Sequence, residues 1–361
     1  MREHFHVPEN YFLSHSVGCL PRIAPDRMSQ EYLETWKTQG GDAWPGWLGV
    51  LESFRTRLGG LFGSPARNIC PQSNVSSGLT KLLYALPVRG GKPTILCSEE
   101  DFPTTGFVFK QAERMGFRVK FVRGDVADLD AWLASWDESV GLVFITHAFS
   151  NTSKLAPVAE LCDLARGRGA ISVVDVAQSA GAVPVDFSVW QPDFAVGTGV
   201  KFLCFGPGAC FLYASDEMIE TCAPIDVGWF SHNQPFEMDI NHFRYADSAM
   251  RFFGGTPSPA PFVLANAAME VWERVGLDHV HTQIQAHLNR LCDSVSDDRL
   301  VSPRLDGARG AAFVVNPEDR DLVRTALETN KILFDERREG FRFSVHAYTN
   351  DTDIHRLIDT L

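Results

Sequence analysis

The sequence predicts an α/β protein whose main sheet is mostly parallel. From about residue 68 to 215, short apolar runs alternate with stretches of helical spacing. Such alternation is typical of parallel sheets that helices cover on both faces. After the Pro/Gly-rich break GTPSPAP at 255–261, a long helical pattern is followed by strand, helix, two strands and helix. This second pattern predicts a small α+β domain.

The first part of the chain supplies the elements of the large sheet. Ligands of such sheets bind beyond the carboxyl ends of the strands, so functional residues are expected there. The predicted strands are PTILCSE, RVKFVRG, VGLVFITHAFS, AISVVDVA, DFAVGT and GACFLYAS, and the predicted helices are SGLTKLLYALP, GFVFKQAERMG and VAELCDLARGRG.

The second part begins with one long helical pattern over 262–295. It ends with a helix that TNDTD opens, since Asn, Asp and Thr are good N-caps. Between them lie the predicted strand AAFVV, the helix DRDLVRTALET and the strands KILFDE and GFRFSVHAY.

These patterns divide the chain into three parts. We predict a large domain over 36–258 and a small domain over 259–361. Residues 1–35, which VGCLP interrupts, are too short for a domain and are expected to pack on the other two.

Composition excludes some function classes for the 361-residue chain. Its net charge of -12 and pI near 5.4 argue against nucleic acid as a partner, because binding phosphates needs a basic surface. No apolar run approaches a membrane span, and charges occupy the place where a secretory signal has its apolar core. We therefore expect a cytoplasmic protein that does not bind membranes.

Familiar catalytic and metal-binding motifs are missing from the sequence. Eight cysteines are scattered without a C-x-x-C pair, which favours reduced thiols over disulfides or a metal site. There is neither G-x-S-x-G nor H-E-x-x-H, and no glycine fingerprint follows a strand. Nothing therefore supports a serine hydrolase, a zinc protease or a Rossmann dehydrogenase.

Asp175 and Lys201 stand in unusual settings for charged residues. Asp175 lies between valines in SVVDVAQSAG, and Lys201 lies in the glycine-flanked stretch GTGVKFLCFGPG. Taken singly, they are explained by a helix N-cap and by a packed lysine stem with its head in water. Together they match a pyridoxal phosphate enzyme, in which a lysine forms the Schiff base and a carboxylate keeps the pyridine nitrogen protonated. Burial also lowers the pKa of a lysine, which helps it act as a nucleophile.

The stretch VVDVAQSAGAVPVDFSVWQPDFAVGTGVKFLCFGPGACFLY resembles the core segment of the class V aminotransferase superfamily of fold-type I pyridoxal phosphate enzymes. Within it the chain is most similar to the kynureninase branch, and the resemblance covers nearly the whole chain. YFLSHSVGCLP is similar to that branch's opening segment and NVSSGLTKLL to its phosphate-binding loop. SEEDFPTTG resembles its F-P-T-D motif, VGWFSH its G-W-W-G-H and GGTPSPAP its G-T-P-P.

The resemblance implies a seven-stranded type of sheet sandwiched by helices, pyridoxal 5'-phosphate as the cofactor, and roles for named residues. Lys201 would be the Schiff-base lysine and Asp175 the partner of the ring nitrogen. Gln178 would face the phenolic oxygen of the ring, and Phe102 would stack on the ring. The alternatives for the last two are a glutamine on a helix surface and a core phenylalanine.

Phosphate binding would involve five residues. Ser76 and Ser77 stand where a helix begins, and the N–H groups of a helix N-terminus suit a dianion. By resemblance, Thr198 adds a further contact, and Trp229 and Thr256 complete the phosphate site from the neighbouring subunit of a homodimer. Without the family, the two serines are ordinary N-caps and Thr256 is a turn residue.

The substrate end is expected on the strand GFRFSVHAY. Alternation puts Arg342 on the face opposite Phe341 and Phe343. Arg342 resembles the superfamily's clamp for the α-carboxylate of an amino acid, which the planar guanidinium fork suits. Asn151 is similar to a residue that assists this clamp. The alternative for Arg342 is a surface salt bridge.

Departures from the kynureninase pattern fall on residues that distinguish reactions. Val200 stands where that branch has tyrosine, Thr105 replaces the acid of F-P-T-D, and Gln178 replaces histidine. These changes argue against cleavage of kynurenine itself. Nothing after Cys292 could serve as the reactive cysteine of a desulfurase, which argues against a persulfide route.

We therefore predict an enzyme that acts on an α-amino acid through a Schiff base at Lys201 and deprotonation at Cα, with aminotransferase chemistry of the class V type. The enzymatic alternative is a kynureninase-like hydrolase or a β-lyase that cleaves Cβ–Cγ or Cβ–S. The other alternative is a protein that binds the coenzyme without catalysis.

Overall fold

The computed structural model of the protein describes residues 1–86 and 91–361. Near the start, β1 (Phe5–His6) and β2 (Leu20–Pro21) form an antiparallel ribbon. The described residues also contain a seven-stranded sheet. Its strands are β3 (Ile69–Gln72), β4 (Thr94–Cys97), β5 (Arg118–Phe121), β6 (Val140–Thr146), β7 (Ile171–Asp175), β8 (Phe194–Thr198) and β9 (Cys210–Ala214).

The order of strands across this sheet is β3-β9-β8-β7-β6-β4-β5. β9 runs antiparallel to both of its neighbours, and the remaining pairs are parallel. The predicted fold class, a mostly parallel sheet of the seven-stranded type, is confirmed.

Both faces of the sheet are buried, which explains the continuous apolar runs of its central strands. In β6, Val143 and Ile145 belong to one hydrophobic core, whereas Leu142 and Phe144 belong to the other. A strand of this kind shows no alternation of apolar and polar residues, because neither set of side chains faces water.

Helices cover the sheet on both sides. In chain order they are α1 (Ala24–Arg27), a π-helical stretch (Met28–Glu34), α2 (Thr35–Gln39), α3 (Trp44–Leu61), α4 (Val75–Ala85), α5 (Pro103–Ala112), α6 (Leu129–Ser135), α7 (Val158–Gly167), α8 (Phe187–Trp190) and α9 (Asp216–Thr221). Apolar residues of α3 and α7 pack in one core, and those of α4, α5 and α9 pack in the other. Of the helices in the described part of the chain, none combines the length and the apolar character that crossing a membrane requires.

A second, three-stranded antiparallel sheet lies in the last third of the chain. It contains β10 (Ala312–Val315), β11 (Asp335–Arg337) and β12 (Gly340–Ser344) in the order β10-β12-β11. Its helices are α10 (Ala260–Val275), α11 (Leu277–Asp293), α12 (Arg320–Thr329) and α13 (Asp351–Ile358). The exact limits 1–35, 36–258 and 259–361 stay a prediction.

Three local predictions differ from the structure. The single helical pattern over 262–295 forms two helices, because Gly276 has a φ of 84° and ends α10. In KILFDE, pairing with β12 starts only at Asp335, whereas Leu333 forms an isolated parallel bridge with Tyr11. The sequence patterns did not predict β3, because it is a short edge strand that contains Pro71.

The N-terminal segment connects the two sheets. The Phe12 carbonyl accepts a hydrogen bond from the Ser344 N–H at 2.8 Å, and the Gly18 N–H donates to the Val200 carbonyl at 2.7 Å. At Gly18 a Cβ would overlap the carbonyl oxygen of Lys201 and lie 2.7 Å from the Cys204 sulfur. Glycine at this position therefore lets the segment dock on the backbone that carries Lys201.

We expect Gly18→Ala to lower the free energy of unfolding by about 3 kcal/mol, because a methyl group against backbone atoms cannot be relieved by a rotamer change. Urea denaturation of the two proteins measures the difference. The matched control is Gly49→Ala in α3, where the added Cβ meets nothing within 4 Å and should stabilise the protein by about 1 kcal/mol. A Gly18→Ala protein as stable as the wild type would contradict this docking.

Candidate active site

A cavity of about 200 Å³ opens at the carboxyl ends of the central strands. Thr146 ends β6, Asp175 ends β7 and Thr198 ends β8, and Thr146 and Asp175 are paired in register. The cavity is lined by Asn74, Val75, Ser76, Phe102, Thr104, Thr105, Thr146, Ala148, Ser150, Asp175, Ala177, Gln178, Thr198, Lys201 and Cys210. Six of the nine residues that the sequence analysis assigned to the cofactor are in this lining.

Asp175 is a buried carboxyl group with one polar backbone partner in its own turn. Its Oδ1 accepts a hydrogen bond from the Ala177 N–H at 2.7 Å. Burial raises the pKa of the carboxyl, while the Ala177 N–H and the charge of Lys201 act in the opposite direction. The alternative role as a helix N-cap is wrong, because the residues after β7 form turns rather than a helix. A cation placed against Asp175 would offset the cost of ionising it.

Lys201 contributes the amine of the cavity. Burial lowers its pKa, the charge of Asp175 raises it, and the charge of Arg342 lowers it. Its Nζ lies 5.5 Å from the centroid of the Phe102 ring. A lysine with a lowered pKa is neutral for a larger fraction of the time and can act as a nucleophile or a base.

Phe102 and Gln178 are two further residues that line the cavity. Phe102 is the residue before α5, which Pro103 opens, and its side chain is 45% exposed. Gln178 lies in the turns after β7 rather than on a helix surface, and its Nε2 donates to the His15 carbonyl at 3.2 Å. Phe102 thus reaches the cavity from the N-cap of α5, and Gln178 reaches it from a turn.

The N-terminus of α4 faces the same cavity. Its N-cap is Asn74, whose Oδ1 accepts from the Ser77 N–H at 2.8 Å. The alternative that the serines are the N-caps is therefore wrong. Ser76 lines the cavity, whereas Ser77 lies outside the lining. At the end of β8, the Thr198 hydroxyl oxygen lies 3.1 Å from the Cys210 sulfur.

Trp229 and Thr256 lie outside this lining and contact each other. The Trp229 indole N–H donates to the Thr256 hydroxyl oxygen at 3.2 Å. Trp229 lines a separate groove of about 280 Å³, which Met238 and Ile240 also line. Met238 is 70% exposed and Ile240 is 96% exposed, so the groove borders an apolar surface.

Arg342 lies on β12, where it is 3% exposed. Its Nη2 donates to the Asp335 carboxylate at 2.5 Å, and its Nη1 donates to the Ser150 carbonyl. The ion pair of the alternative interpretation therefore exists, with Arg342 buried and the Asp335 side chain 26% exposed. Ser150 lines the cavity, and its neighbour Asn151 lies outside the lining. Arg342 is thus tied to the wall of the cavity through a backbone carbonyl.

The sequence analysis missed a second carboxyl group, Asp101. Its Oδ1 accepts from the Thr146 hydroxyl at 2.6 Å, and its Oδ2 accepts from the Ser98 N–H at 3.0 Å. Burial, together with the charge of Asp175, raises the pKa of Asp101 to about 7 despite these bonds. The only signal was the acidic run SEED, which does not indicate which carboxylate turns inward.

The arrangement can hold a planar cationic group between an aromatic ring and a carboxylate, with hydroxyl and backbone donors at one end. Within residues 1–86 and 91–361, no group of three or more His, Cys, Asp or Glu side chains is arranged to hold a metal ion. Through Lys201, whose pKa burial lowers, the cavity offers a nucleophile and a base.

Comparison with protein families finds a match to the model described as Aminotransferase class-V, over residues 50–357. The kynureninase of Deinococcus radiodurans is 31% identical over 290 residues, which are 76% of this chain and 69% of that protein. The uncharacterized aminotransferase YcbU of Bacillus subtilis is 24% identical, over 99% of this chain and 98% of that protein. These matches confirm the resemblance that the motifs indicated.

Solved structures share the fold. C-DES with glycine covalently linked to its PLP cofactor has a TM-score of 0.87 at 22% identity, covering 99% of this chain and 98% of that one. The apo cysteine desulfurase of Thermococcus onnurineus has a TM-score of 0.85 at 20% identity, covering 97% and 92%. At these identities the likeness concerns the fold.

We expect the stability of the protein to fall from pH 4 to pH 7 because of Asp101. Its folded pKa of about 7 lies above the ordinary value of 3.8, so in this window the folded state binds more protons than the unfolded state. Asp101→Asn should reduce this fall, which urea denaturation at several pH values measures. The control is Glu99→Gln, a substitution of an exposed acidic residue near Asp101, which should leave the pH dependence of stability unchanged. Equal pH dependence in Asp101→Asn and the wild type would contradict the expectation.

Proposed function

The chain belongs to the aminotransferase class-V family and is a pyridoxal phosphate-dependent enzyme, and we propose that it converts an α-amino acid by aminotransferase-type chemistry. The observation that carries the proposal is the placement of Asp175, Lys201 and Phe102 around one cavity, with Arg342 tied to its wall. Lys201 is proposed as the residue to which the coenzyme attaches.

The residues of the cavity fit pyridoxal phosphate. Asp175 is costly to ionise in its buried place, and a protonated pyridine nitrogen is the cation that would offset this cost. Phe102 provides an aromatic face, and Gln178 provides an amide for the phenolic oxygen. The N-terminus of α4 with Ser76, and the Thr198 hydroxyl at the end of β8, provide donors for a phosphate. When bound, the coenzyme supplies an electron sink that stabilises negative charge at Cα.

Lys201 moves the proton in this proposal. Because burial lowers its pKa, the Nζ amine can accept the proton from Cα and return it elsewhere on the reacting molecule. The place to which the proton returns decides between transamination and cleavage. Val200 and Thr105, which replace residues of the kynureninase pattern, support the proposal of transamination over hydrolysis of kynurenine.

Arg342 is proposed to hold the α-carboxylate of the substrate, with Asn151 assisting. The Asp335 carboxylate accepts a hydrogen bond from the Arg342 guanidinium, which also donates to the Ser150 carbonyl, and these two bonds fix the position of the guanidinium. A substrate carboxylate would bind a positioned arginine rather than a mobile one, which lowers the entropy cost of binding.

Cleavage of Cβ–Cγ or Cβ–S is the second candidate, because the relatives include kynureninases and a fold neighbour is a cystine C-S lyase. A persulfide carried on the enzyme is not part of it. Cys292 is fully buried on α11, where its sulfur accepts a hydrogen bond from Arg309 at 3.3 Å.

We also propose a homodimer with a shared active site. The apolar groove beside Trp229 and Thr256 supports it, because Phe236, Met238 and Ile240 are exposed there and a second subunit would cover them. The burial of all eight cysteines as thiols supports a cytoplasmic location.

Lys201→Ala is expected to abolish the yellow, borohydride-reducible absorbance of the coenzyme-loaded protein, because no other amine in the cavity lining can bind the aldehyde. Spectra before and after borohydride treatment measure this. The control is Lys110→Ala, which removes an exposed lysine of α5 and should leave the spectrum unchanged. An unchanged spectrum in Lys201→Ala would remove Lys201 from the proposal.

A panel of amino acids under single-turnover conditions decides the reaction. Transamination predicts one keto acid per active site, with the coenzyme left in its pyridoxamine form. Release of alanine or pyruvate with the coenzyme unchanged would instead support cleavage, and kynurenine and cystine belong in the panel to detect it. Mass spectrometry of the products and the absorbance of the coenzyme give independent readouts.

A further inference from the structure

His15 lies at the junction of the N-terminal segment, the cavity and β12. Its backbone N–H donates to the Ser344 hydroxyl oxygen at 3.0 Å, and its carbonyl accepts from Gln178 at 3.2 Å. The residue is 2% exposed. Its position is therefore set by backbone contacts, one of them to a residue that lines the cavity.

The imidazole of His15 has polar atoms that the protein leaves unused. In residues 1–86 and 91–361, nine buried side-chain nitrogen or oxygen atoms have no hydrogen-bond partner. Three of these nine atoms belong to this cluster: Nδ1 and Nε2 of His15, and Nε of Arg342. Buried polar groups are nearly always paired, because leaving them unpaired loses their bonds to water. Three orphan nitrogens on two residues near one cavity point to a ligand.

His15 is a neutral donor and acceptor. Burial lowers its pKa to about 4, Asp335 raises it, and the positive charges of Arg342 and Lys201 lower it. A neutral imidazole has one N–H and one lone pair. His15 is outside the lining of the cavity, and neither of these ring positions has a hydrogen-bond partner within the described residues.

Asp335 shows where a carboxylate sits in this cluster. Its Oδ2 accepts from Arg342 at 2.5 Å and from Arg337 at 2.8 Å. The same oxygen lies 3.6 Å from Nε2 of His15, which is too long for a hydrogen bond. A carboxylate oxygen bound to Arg342 therefore lies within a small displacement of His15.

We propose that His15 is a substrate-binding residue, which holds the α-carboxylate of the amino acid together with Arg342. The unpaired His15 Nε2 and Arg342 Nε then gain an acceptor that Asp335 does not give them. Asp335 keeps its second partner, Arg337, and so remains paired when the substrate carboxylate shares Arg342. This inference rests on the proposed function.

The test compares three variants of the coenzyme-loaded protein, His15→Gln, His15→Asn and His15→Leu. The amide nitrogen of glutamine reaches about as far as Nε2 of histidine, and that of asparagine only as far as Nδ1. Binding of L-alanine and of ethylamine, which is alanine without its carboxylate, is measured from the change in coenzyme absorbance.

His15→Leu and His15→Asn should weaken the binding of L-alanine about tenfold or more, as expected for a lost hydrogen bond to a charged group. His15→Gln should stay within about threefold of the wild type, and ethylamine should bind all four proteins alike. Binding of L-alanine unchanged in all variants would overturn the proposal. Equal weakening of L-alanine and ethylamine would also overturn it, because it would indicate a structural role.

Failure of this inference can be told from failure of the proposed function. If the proposed function is wrong, the wild type itself shows no lysine-bound coenzyme or no response to amino acids. If only the inference is wrong, the wild type responds and the His15 variants respond equally. Should His15→Leu fail to fold, the comparison of His15→Gln with His15→Asn decides, since both keep a polar amide.

Discussion

The structure depends on holding two groups of opposite charge, Asp175 and Lys201, in a buried place that disfavours the charged form of each. Burial raises the pKa of the carboxyl and lowers that of the amine, and each charge partly offsets the lost hydration of the other. A parallel sheet can provide such a place, because its central strands are buried on both faces and end at a common edge. Thr146 and Thr198 end the two strands that flank β7 at the same edge, so both residues line the cavity that the charges share.

The N-terminal segment and β12, which are distant in the chain, pack beside this edge of the sheet. The segment that contains His15 and Gly18 contacts both β12 and the backbone beside Lys201, so one stretch of chain connects the small sheet to the turn that carries Lys201. Arg342 reaches the cavity wall from β12, and Asp335 on the adjacent strand holds it there. The N-terminal segment therefore packs beside the cavity, and the His15 carbonyl accepts a hydrogen bond from Gln178 of the lining.

In the proposed function, the residues that would bind the coenzyme and those that would decide the reaction are different. Asp175, Lys201 and Arg342 would serve the steps that class V enzymes share. Thr105 lines the cavity where the kynureninase pattern has an acid, while the carboxyl of Asp101 lies four residues earlier and is held by Thr146. Asp101 is outside the lining of the cavity, so an acidic group of the same motif is held beside the cavity rather than in its wall.

The sequence by itself determined the α/β class, the Asp175 and Lys201 pair and six of the residues that line the cavity, because burial periodicity and motif spacing are local properties of the chain. It could not determine the break at Gly276 or the edge strand at Pro71, since a helical pattern tolerates one glycine and a short edge strand has little pattern. Only the tertiary structure decided that Asp101 turns inward and that His15 lies unpaired beside Asp335 and Arg342. The physical reason is that the partners of a buried polar group come from distant segments, and local patterns do not record which segments meet.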